Sequence, residues 1–322
     1  MSSQVSTTGE APGEVQAQKA RMPWLSRSPR LRRSLAFWGL MGPLALGLLV
    51  FVYIPILWGL MLSFSQAKAT VIPTAFVGFS NYWSMLTDPN FQKALVTFVI
   101  FALFIVPTTF VLSLGLALLV NSARFLQGFF RSVFFLPTAI SYVAAAVVWR
   151  MSIFNGLPYG LANMVLGLFK IAPISWIATP NPPWYWLVLV SLRLWLQLGF
   201  FMIIFLAGLQ EIPHDIYEAA AVDGASSGWT RFRSITFPLL RNTSVSILLL
   251  LLIAAFQAFD EFYNIMGGNS AQARPPLLYL YQVSFGQFDF GRGDAGSFIL
   301  TVVIVLFTLL QGRIFGFGRS DR

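Results

Sequence analysis

The chain has 322 residues, 57% of them hydrophobic and only 10% charged, with 32 phenylalanines and 10 tryptophans. A soluble domain carries about 25% charged residues, so this composition excludes an ordinary soluble protein and points to an integral membrane protein. With no cysteine and one histidine, His214, there is no disulfide framework, thiolate metal site or histidine-based zinc or haem site. The net charge of +9 matters through where it lies.

Residues 1–20 are small and polar and are predicted to be a disordered tail. Five arginines follow between Arg21 and Arg33. The long polar leader and the lack of a small-residue cleavage site argue against a secretory signal. Residues 1–33 are therefore set apart as a basic tail, and residues 34–318 as a membrane domain. The expected fold class is all-α and polytopic. Six runs are long enough to cross about 30 Å of hydrocarbon. They lie at 36–64, 94–120, 131–152, 185–209, 243–264 and 296–317. Pro43, Pro55, Pro107 and Pro137 fall in or near them and predict kinks. The loop at 153–185 is expected to hold a short interfacial helix.

Lys and Arg set the expected orientation. Fourteen lie in the N-terminal segment, the loop with Arg124 and Arg131, the stretch with Arg231, Arg233 and Arg241, and the tail with Arg313, Arg319 and Arg322. Six lie on the other side: Lys68, Lys93, Arg150, Lys170, Arg274 and Arg292. Both termini and the loop at 210–242 are thus expected to be cytoplasmic.

That loop interrupts two apolar runs with YEAAAVDGASSGWTRFRSITFPLL, Tyr217 to Leu240. It reads as two short helices about a turn at Gly224. Pro213 starts the first, whose face holds Ile216, Ala219, Ala220 and Val222, with Asp215 and Glu218 on its polar side. Trp229, Phe232 and Ile235 form a small apolar face on the second, before Pro238. Small residues allow close backbone approach and Glu218 can fix a contact by charge, so the elbow is a docking surface.

The segment EAAAVDGA…ITFPLL resembles the EAA loop of the membrane-spanning subunits of bacterial ATP-binding-cassette importers. FVGFSNYWSMLTDPNFQKAL resembles the first outer loop of their carbohydrate branch. FFRSVFFLPTAISYVAAAVVWRMSIFN, FLAGLQEIPHDIYEAAAVDGA and FQAFDEFYNIMGGNSAQARPPLLYLYQVSFGQFDFGRGDAGSF continue the resemblance across about 34–315. The subtype resembled is the MalF/UgpA-like permease. Ten residues, Ala225 to Ser234, separate Gly224 from the next isoleucine where the family pattern has nine, and Phe237 stands for a usual Leu. The extra residue is assigned to the turn near Ser226–Gly228.

The resemblance implies a coupling role toward a separate ATPase for Glu218, Ala219, Ala220, Asp223, Gly224 and Arg231. It also implies a second permease as heterodimer partner, two ATP-binding subunits or a homodimeric ATPase, and an external solute-binding protein. The implied location is the bacterial cytoplasmic (inner) membrane, in contact with lipid and not nucleic acid. The chain has no GxxxxGK[ST] sequence, and none of its four lysines follows a glycine. No cofactor is therefore expected on this chain; ATP and Mg belong to the partner ATPase, and the chain is expected to be a non-catalytic transport subunit.

Polar groups within spans usually face the bundle interior. Arg193 and Gln197 are four residues apart on one face of the fourth span, with Trp195 nearby. The fifth span ends with Gln257, Asp260, Glu261, Tyr263 and Asn264. Carboxylate, amide and guanidinium groups suit hydroxyl-rich sugars, with aromatic rings on their apolar faces. These eight residues are the candidate solute path. The competing structural reading is an Arg193–Asp260 ion pair, or carboxylates in wet headgroup territory. Arg193 also leaves open an anionic solute such as glycerol 3-phosphate; a polyamine or an ATP-independent channel are the remaining alternatives. No His-Glu-x-x-His or buried catalytic pair supports a membrane enzyme.

Overall fold

A computed structural model describes residues 29–123, 125–224, 228–268 and 272–315. The expected disordered tail at 1–20, Arg124, Ser226 and Ser227 of the turn assigned the extra residue (near Ser226–Gly228), Arg319, Arg322 and the last two residues of the sixth predicted run lie outside the described residues. The fold is mostly helical. It divides into two units, residues 1–57 and 58–322.

In the first unit, α1 (Pro29–Leu48) contains Pro43 and runs into a wide turn at Leu49–Tyr53, before the first residues of α2 (Ile54–Ser63). Pro55 explains the wide turn. It has no N–H and its ring crowds the preceding turn. The residue before it, Ile54, donates instead to the Leu49 carbonyl, five residues back.

The second unit is built on three long helices. α4 (Pro89–Ser122) is the longest at 34 residues; Asp88 caps it, accepting from the Asn90 N–H at 2.8 Å, and Pro89 occupies its first turn. α8 (Tyr185–Gln210) packs along α4, and α12 (Arg241–Phe256) packs on both. One core cluster centres on Phe101, Leu192 and Phe262, and a second on Phe205, Met202 and Ile247. α15 (Phe290–Phe315) closes the order. α3 (Ser80–Leu86) lies against it, and strands β1 (Ser65–Gln66) and β2 (Ala75–Phe76) pair antiparallel with Ser65 opposite Phe76. In the 153–185 loop, α7 (Leu161–Leu168) is the expected short helix. Buried Asn163 organises it, donating to the Leu157 and Ile174 carbonyls and accepting from the Ile174 N–H and Trp176 Nε1.

Among the described residues, four helices are long and apolar enough to cross a membrane: Arg33–Ser63, Pro89–Ser122, Tyr185–Gln210 and Phe290–Arg313. Two of the predicted runs are not straight. The run at 131–152 is a pair bent by 92°: α5 (Gln127–Phe135) with a tight turn at Leu136–Ala139, then α6 (Tyr142–Val148) with a wide turn at Trp149–Ile153. Pro137 sits at the bend. The run at 243–264 ends early. α12 stops at Phe256, and α13 (Asp260–Met266) is a separate helix, so Gln257 and Asp260 do not share one helical face. At the break the Ala258 N–H turns back to the Ala255 carbonyl, and Arg193 Nη2 takes the Ala254 carbonyl.

Candidate functional site

The break after α12 lies against the middle of α8. There Tyr142, Arg193, Gln197, Ala254, Gln257, Asp260 and Glu261 line a cleft of about 210 Å³. A second cleft of about 350 Å³ shares Tyr142, Gln197, Ala254 and Gln257 with it and continues toward Thr138 and Phe200. Non-helical backbone at membrane depth is tolerated where it is buried in protein or lines a wet cavity, and broken helices supply such polar sites.

Within the cleft the charges have different jobs. Arg193 is buried and pairs with Glu261, which is 1% exposed. The guanidinium also lies over the rings of Tyr142 and Phe101, at 5.6 and 5.9 Å. Its Nη groups donate to Glu261 and to the Ala254 carbonyl, and among the described residues its buried Nε has no partner. Glu261, not Asp260, is thus the partner of Arg193. Asp260 is exposed, and among the described residues its carboxylate has no hydrogen-bond or ion-pair partner. Gln257 is also exposed and Gln197 half-buried. Five of the eight predicted path residues therefore meet in one cleft, two of them locked to each other.

The other three stand apart. Trp195 is two residues from Arg193, about 200° round the helix; it packs on Trp149 at 4.9 Å. Tyr263 stacks on Phe259. Asn264 donates to the Asp260 carbonyl at 2.7 Å, and its own carbonyl accepts from Arg150 at 3.1 Å. Tyr142 was missed in the sequence; it reaches the cleft from α6, beyond the bend after Pro137.

In the 210–242 loop, α9 (His214–Val222) begins after Pro213. Glu218, Ala219, Asp223 and Gly224 are exposed, Ala220 is half-buried, and Gly224 adopts φ +89°. The second arm is α10 (Gly228–Arg231), a wide turn at Phe232–Thr236 and α11 (Phe237–Leu239). Pro238 repeats the chemistry of Pro55: the residue before it, Phe237, donates five residues back to Phe232. The wide turn shifts the face predicted from Trp229, Phe232 and Ile235, so that Thr236 is buried instead. Trp229 stacks on Phe232, and Tyr217 Oη lies 3.0 Å from Thr236 Oγ1, joining the two arms. Half-buried Arg231 lines a groove of about 580 Å³ with Tyr217, Trp229 and residues of α4.

A third cluster ties the start of α4 to α15 and to α14 (Pro276–Tyr281). Asp88 Oδ2 accepts from Tyr279 Oη at 2.5 Å and from Arg292 Nη2 at 2.9 Å. Burial pushes the Asp88 carboxyl up, but the bonds from Tyr279, the Asn90 N–H and Arg292 outweigh it, and its pKa lies below the usual carboxylate range. Burial and the Asp88 carboxylate push the Tyr279 phenol up to about 12. No group of three or more His, Asp or Glu is placed to hold a metal among the described residues.

Residues 90–316 match the family described as binding-protein-dependent transport system inner membrane component. The chain is 31% identical over 278 residues to the trehalose/maltose transport system permease protein MalF of Thermococcus litoralis, covering 86% of this chain and 92% of that one. It is 31% identical over 285 residues to the arabinooligosaccharides transport system permease protein AraP of Bacillus subtilis, covering 87% and 88%. Against the lactose transport system permease protein LacF of Rhizobium radiobacter the identity is 31%, over 85% and 92%. The fold resembles a chain in the crystal structure of a bacterial ABC transporter involved in the import of the acidic polysaccharide alginate. That match has a TM-score of 0.77 at 21% identity, over 89% of this chain and 98% of that one. A second such structure, in complex with an alginate pentasaccharide-bound periplasmic protein, matches with a TM-score of 0.78 over 88% and 95%.

Proposed function

Because this chain belongs to the family of binding-protein-dependent transport system inner membrane components, we propose that it is the permease subunit of an ATP-driven importer of sugars. It forms part of the solute path and passes on the work of a separate ATPase. The observation that carries this reading is the broken helix after Phe256, which exposes Gln257 and Asp260 beside Gln197 between membrane-length helices. Amide and carboxylate groups in a wet cleft hydrogen-bond hydroxyls, and the relatives are named for sugar transport.

With the four long helices, the bent α5–α6 pair and α12 make six spans. With the Lys and Arg bias, both termini and the 210–242 loop then face the cytoplasm. The exposed α9, carrying Glu218 and Ala219, docks on the ATPase, and Gly224 turns the chain into the second arm. A second permease completes the path, and ATP and Mg are used by the partner. The chain makes and breaks no covalent bond. A solute-binding protein delivers the sugar from outside; a fold neighbour of known structure is bound to such a protein.

The anionic-solute alternative needs a free cation in the path. The engagement of Arg193 by Glu261, the Ala254 carbonyl and two rings counts against it. The test is mild-detergent purification of this chain from cells expressing its gene neighbourhood. Copurification of a second permease and an ATPase, with hydrolysis stimulated by a sugar-loaded binding protein, is the expected result. A lone chain without ATPase activity would sink the importer reading.

A further inference from the structure

The groove of about 580 Å³ between α4 and the second arm of the 210–242 loop shares no residue with the cleft at the end of α12. Its two ends differ in chemistry. Val111, Leu114, Gly115 and Leu118 of α4 line one end, and Asn121, Trp229 and Arg231 supply N–H donors at the other. Leu114 belongs to the second core cluster, and Leu118 and Phe232 pack against it, so the apolar floor is firm. The floor is also open: Val111 is 64% exposed, and a Cβ on Gly115 would meet nothing within 4 Å. At the polar end Tyr217 Oη lies 3.0 Å from Thr236 Oγ1, which donates to the Arg231 carbonyl at 3.4 Å. These contacts hold the backbone of Arg231 beside the groove.

The length is that of one leaflet. Val111 and Asn121 are ten residues apart on one helix. That is about 15 Å, half of a hydrocarbon core of about 30 Å. α4 is of membrane length and ends at Ser122, so Asn121 and the polar end of the groove lie at headgroup level. The charge there has one sign. From Gly224 to Phe259 the chain carries Arg231, Arg233 and Arg241 and no Asp or Glu, whereas Glu211, Asp215, Glu218 and Asp223 all precede the turn. An anionic membrane surface repels the first arm and attracts the second.

We propose that this groove seats an anionic phospholipid of the cytoplasmic leaflet. One acyl chain lies along α4 over Gly115, the phosphate meets Arg231, and the Trp229 indole sits at the interface. The choice of leaflet rests on the permease reading above. A guanidinium presents paired N–H donors that match a phosphate, and an indole settles at the headgroup boundary. Free phosphate would leave the apolar end unfilled. An extended segment of a partner subunit would need partners for its backbone N–H and C=O groups, and the α4 side chains at the apolar end offer none. Arg231 then serves the membrane side of the elbow and α9 the ATPase side.

The test is a lipid titration of the full chain, purified in mild detergent with the partners it retains and read by native mass spectrometry. Palmitoyl-oleoyl phosphatidylglycerol is compared with the phosphatidylcholine of the same acyl chains. Wild type is expected to bind the anionic lipid about tenfold more tightly, and Arg231→Gln to lose that preference, the effect of one hydrogen bond to a charged group. Gly115→Leu fills the apolar end and is expected to weaken both lipids. Arg233→Gln changes an exposed arginine outside the groove and is expected to keep the wild-type preference. Equal binding of the two lipids by wild type overturns the site, as does a preference that survives Arg231→Gln or binding undiminished in Gly115→Leu. An equal fall in Arg233→Gln overturns it too, because surface charge alone then explains the preference. A wild-type complex that retains no lipid, its groove filled by a partner subunit, also overturns it. Failure of the permease reading shows separately, as the absence of an ATPase from the same preparation.

Discussion

Arg193 in α8 and Glu261 in α13, sixty-eight residues apart, form a buried ion pair across the break that ends α12. The guanidinium also holds the Ala254 carbonyl on the last turn of α12, so one side chain ties three helices together. Removing one partner leaves a buried charge unpaired, which costs about 3–5 kcal/mol. Glu261→Ala is expected to lower the thermal unfolding midpoint of the purified complex and its yield from membranes. The double variant Arg193→Met/Glu261→Leu removes both charges and is expected to recover most of the loss. Unfolding curves for the three proteins check this; a double variant as unstable as Glu261→Ala contradicts it.

Asp260 is adjacent in sequence but has no such duty. Its carboxylate is exposed in the cleft, so Asp260→Ala is expected to leave the unfolding midpoint within the scatter of a surface substitution, about 0.5 kcal/mol. Sugar uptake should fall about tenfold or more, the worth of a hydrogen bond to a charged group. Uptake kinetics and unfolding measured on the same preparation separate the roles of the two neighbouring carboxylates.

Gly199 on α8 marks where that helix meets the end of α5. A Cβ there would lie 1.8 Å from the Phe134 carbonyl oxygen, and that obstacle is backbone, not a side chain that can swing away. The close approach also lets Thr138 Oγ1 donate to the Leu196 carbonyl at 3.1 Å. Gly199→Ala is expected to cost roughly 3 kcal/mol and to open the bend beside the cleft. Size-exclusion of the detergent-purified chain should show a marked loss of monodisperse protein.

The straight helices were legible because apolar runs of membrane length carry their own signal, and Pro137 announced the bend between α5 and α6. The end of α12 was not. Phe256-Gln257-Ala258-Phe259 contains neither glycine nor proline, and the helix stops where Arg193, sixty-one residues away, takes the Ala254 carbonyl. That break sets which of two adjacent carboxylates faces the arginine, so the choice between Asp260 and Glu261 lay beyond any helical-face argument. The same limit hid Tyr142 and the partners of Asp88. Tyr279 and Arg292 lie 191 and 204 residues from it along the chain.

The Asp88 cluster makes the stability of the start of α4 pH-dependent at both extremes. Asp88 titrates below its ordinary value of about 4, so its contribution is present above that value and is lost as pH falls through the lowered pKa. Tyr279 is raised to about 12, so its contribution is complete below the ordinary phenol value of about 10 and is lost as pH rises toward 12. Between those limits the cluster adds no pH dependence of its own to the unfolding midpoint. Tyr279→Phe removes one of the bonds that hold the Asp88 carboxyl down. Its acid limb should move to higher pH and the alkaline loss due to this phenol should vanish, as a pH series of unfolding midpoints will show.

The coupling assignment has its sharpest test at Gly224. Its φ of +89° is a conformation that a residue with a Cβ adopts at a cost of roughly 1–2 kcal/mol, although a Cβ there would meet no neighbour within 4 Å. Gly224→Ala thus strains the turn without a collision, while Gly224→Trp adds bulk to the exposed side proposed to meet the ATPase. Glu218→Lys reverses a charge on exposed α9 and touches no core residue. All three should insert; Glu218→Lys should keep the wild-type unfolding midpoint, and the two Gly224 variants should lose no more than the strain of the turn. Gly224→Trp and Glu218→Lys should lose ATPase copurification and uptake together, with Gly224→Ala intermediate. Full uptake in Gly224→Trp and Glu218→Lys would remove α9 and its turn from the coupling path, whatever the cleft does.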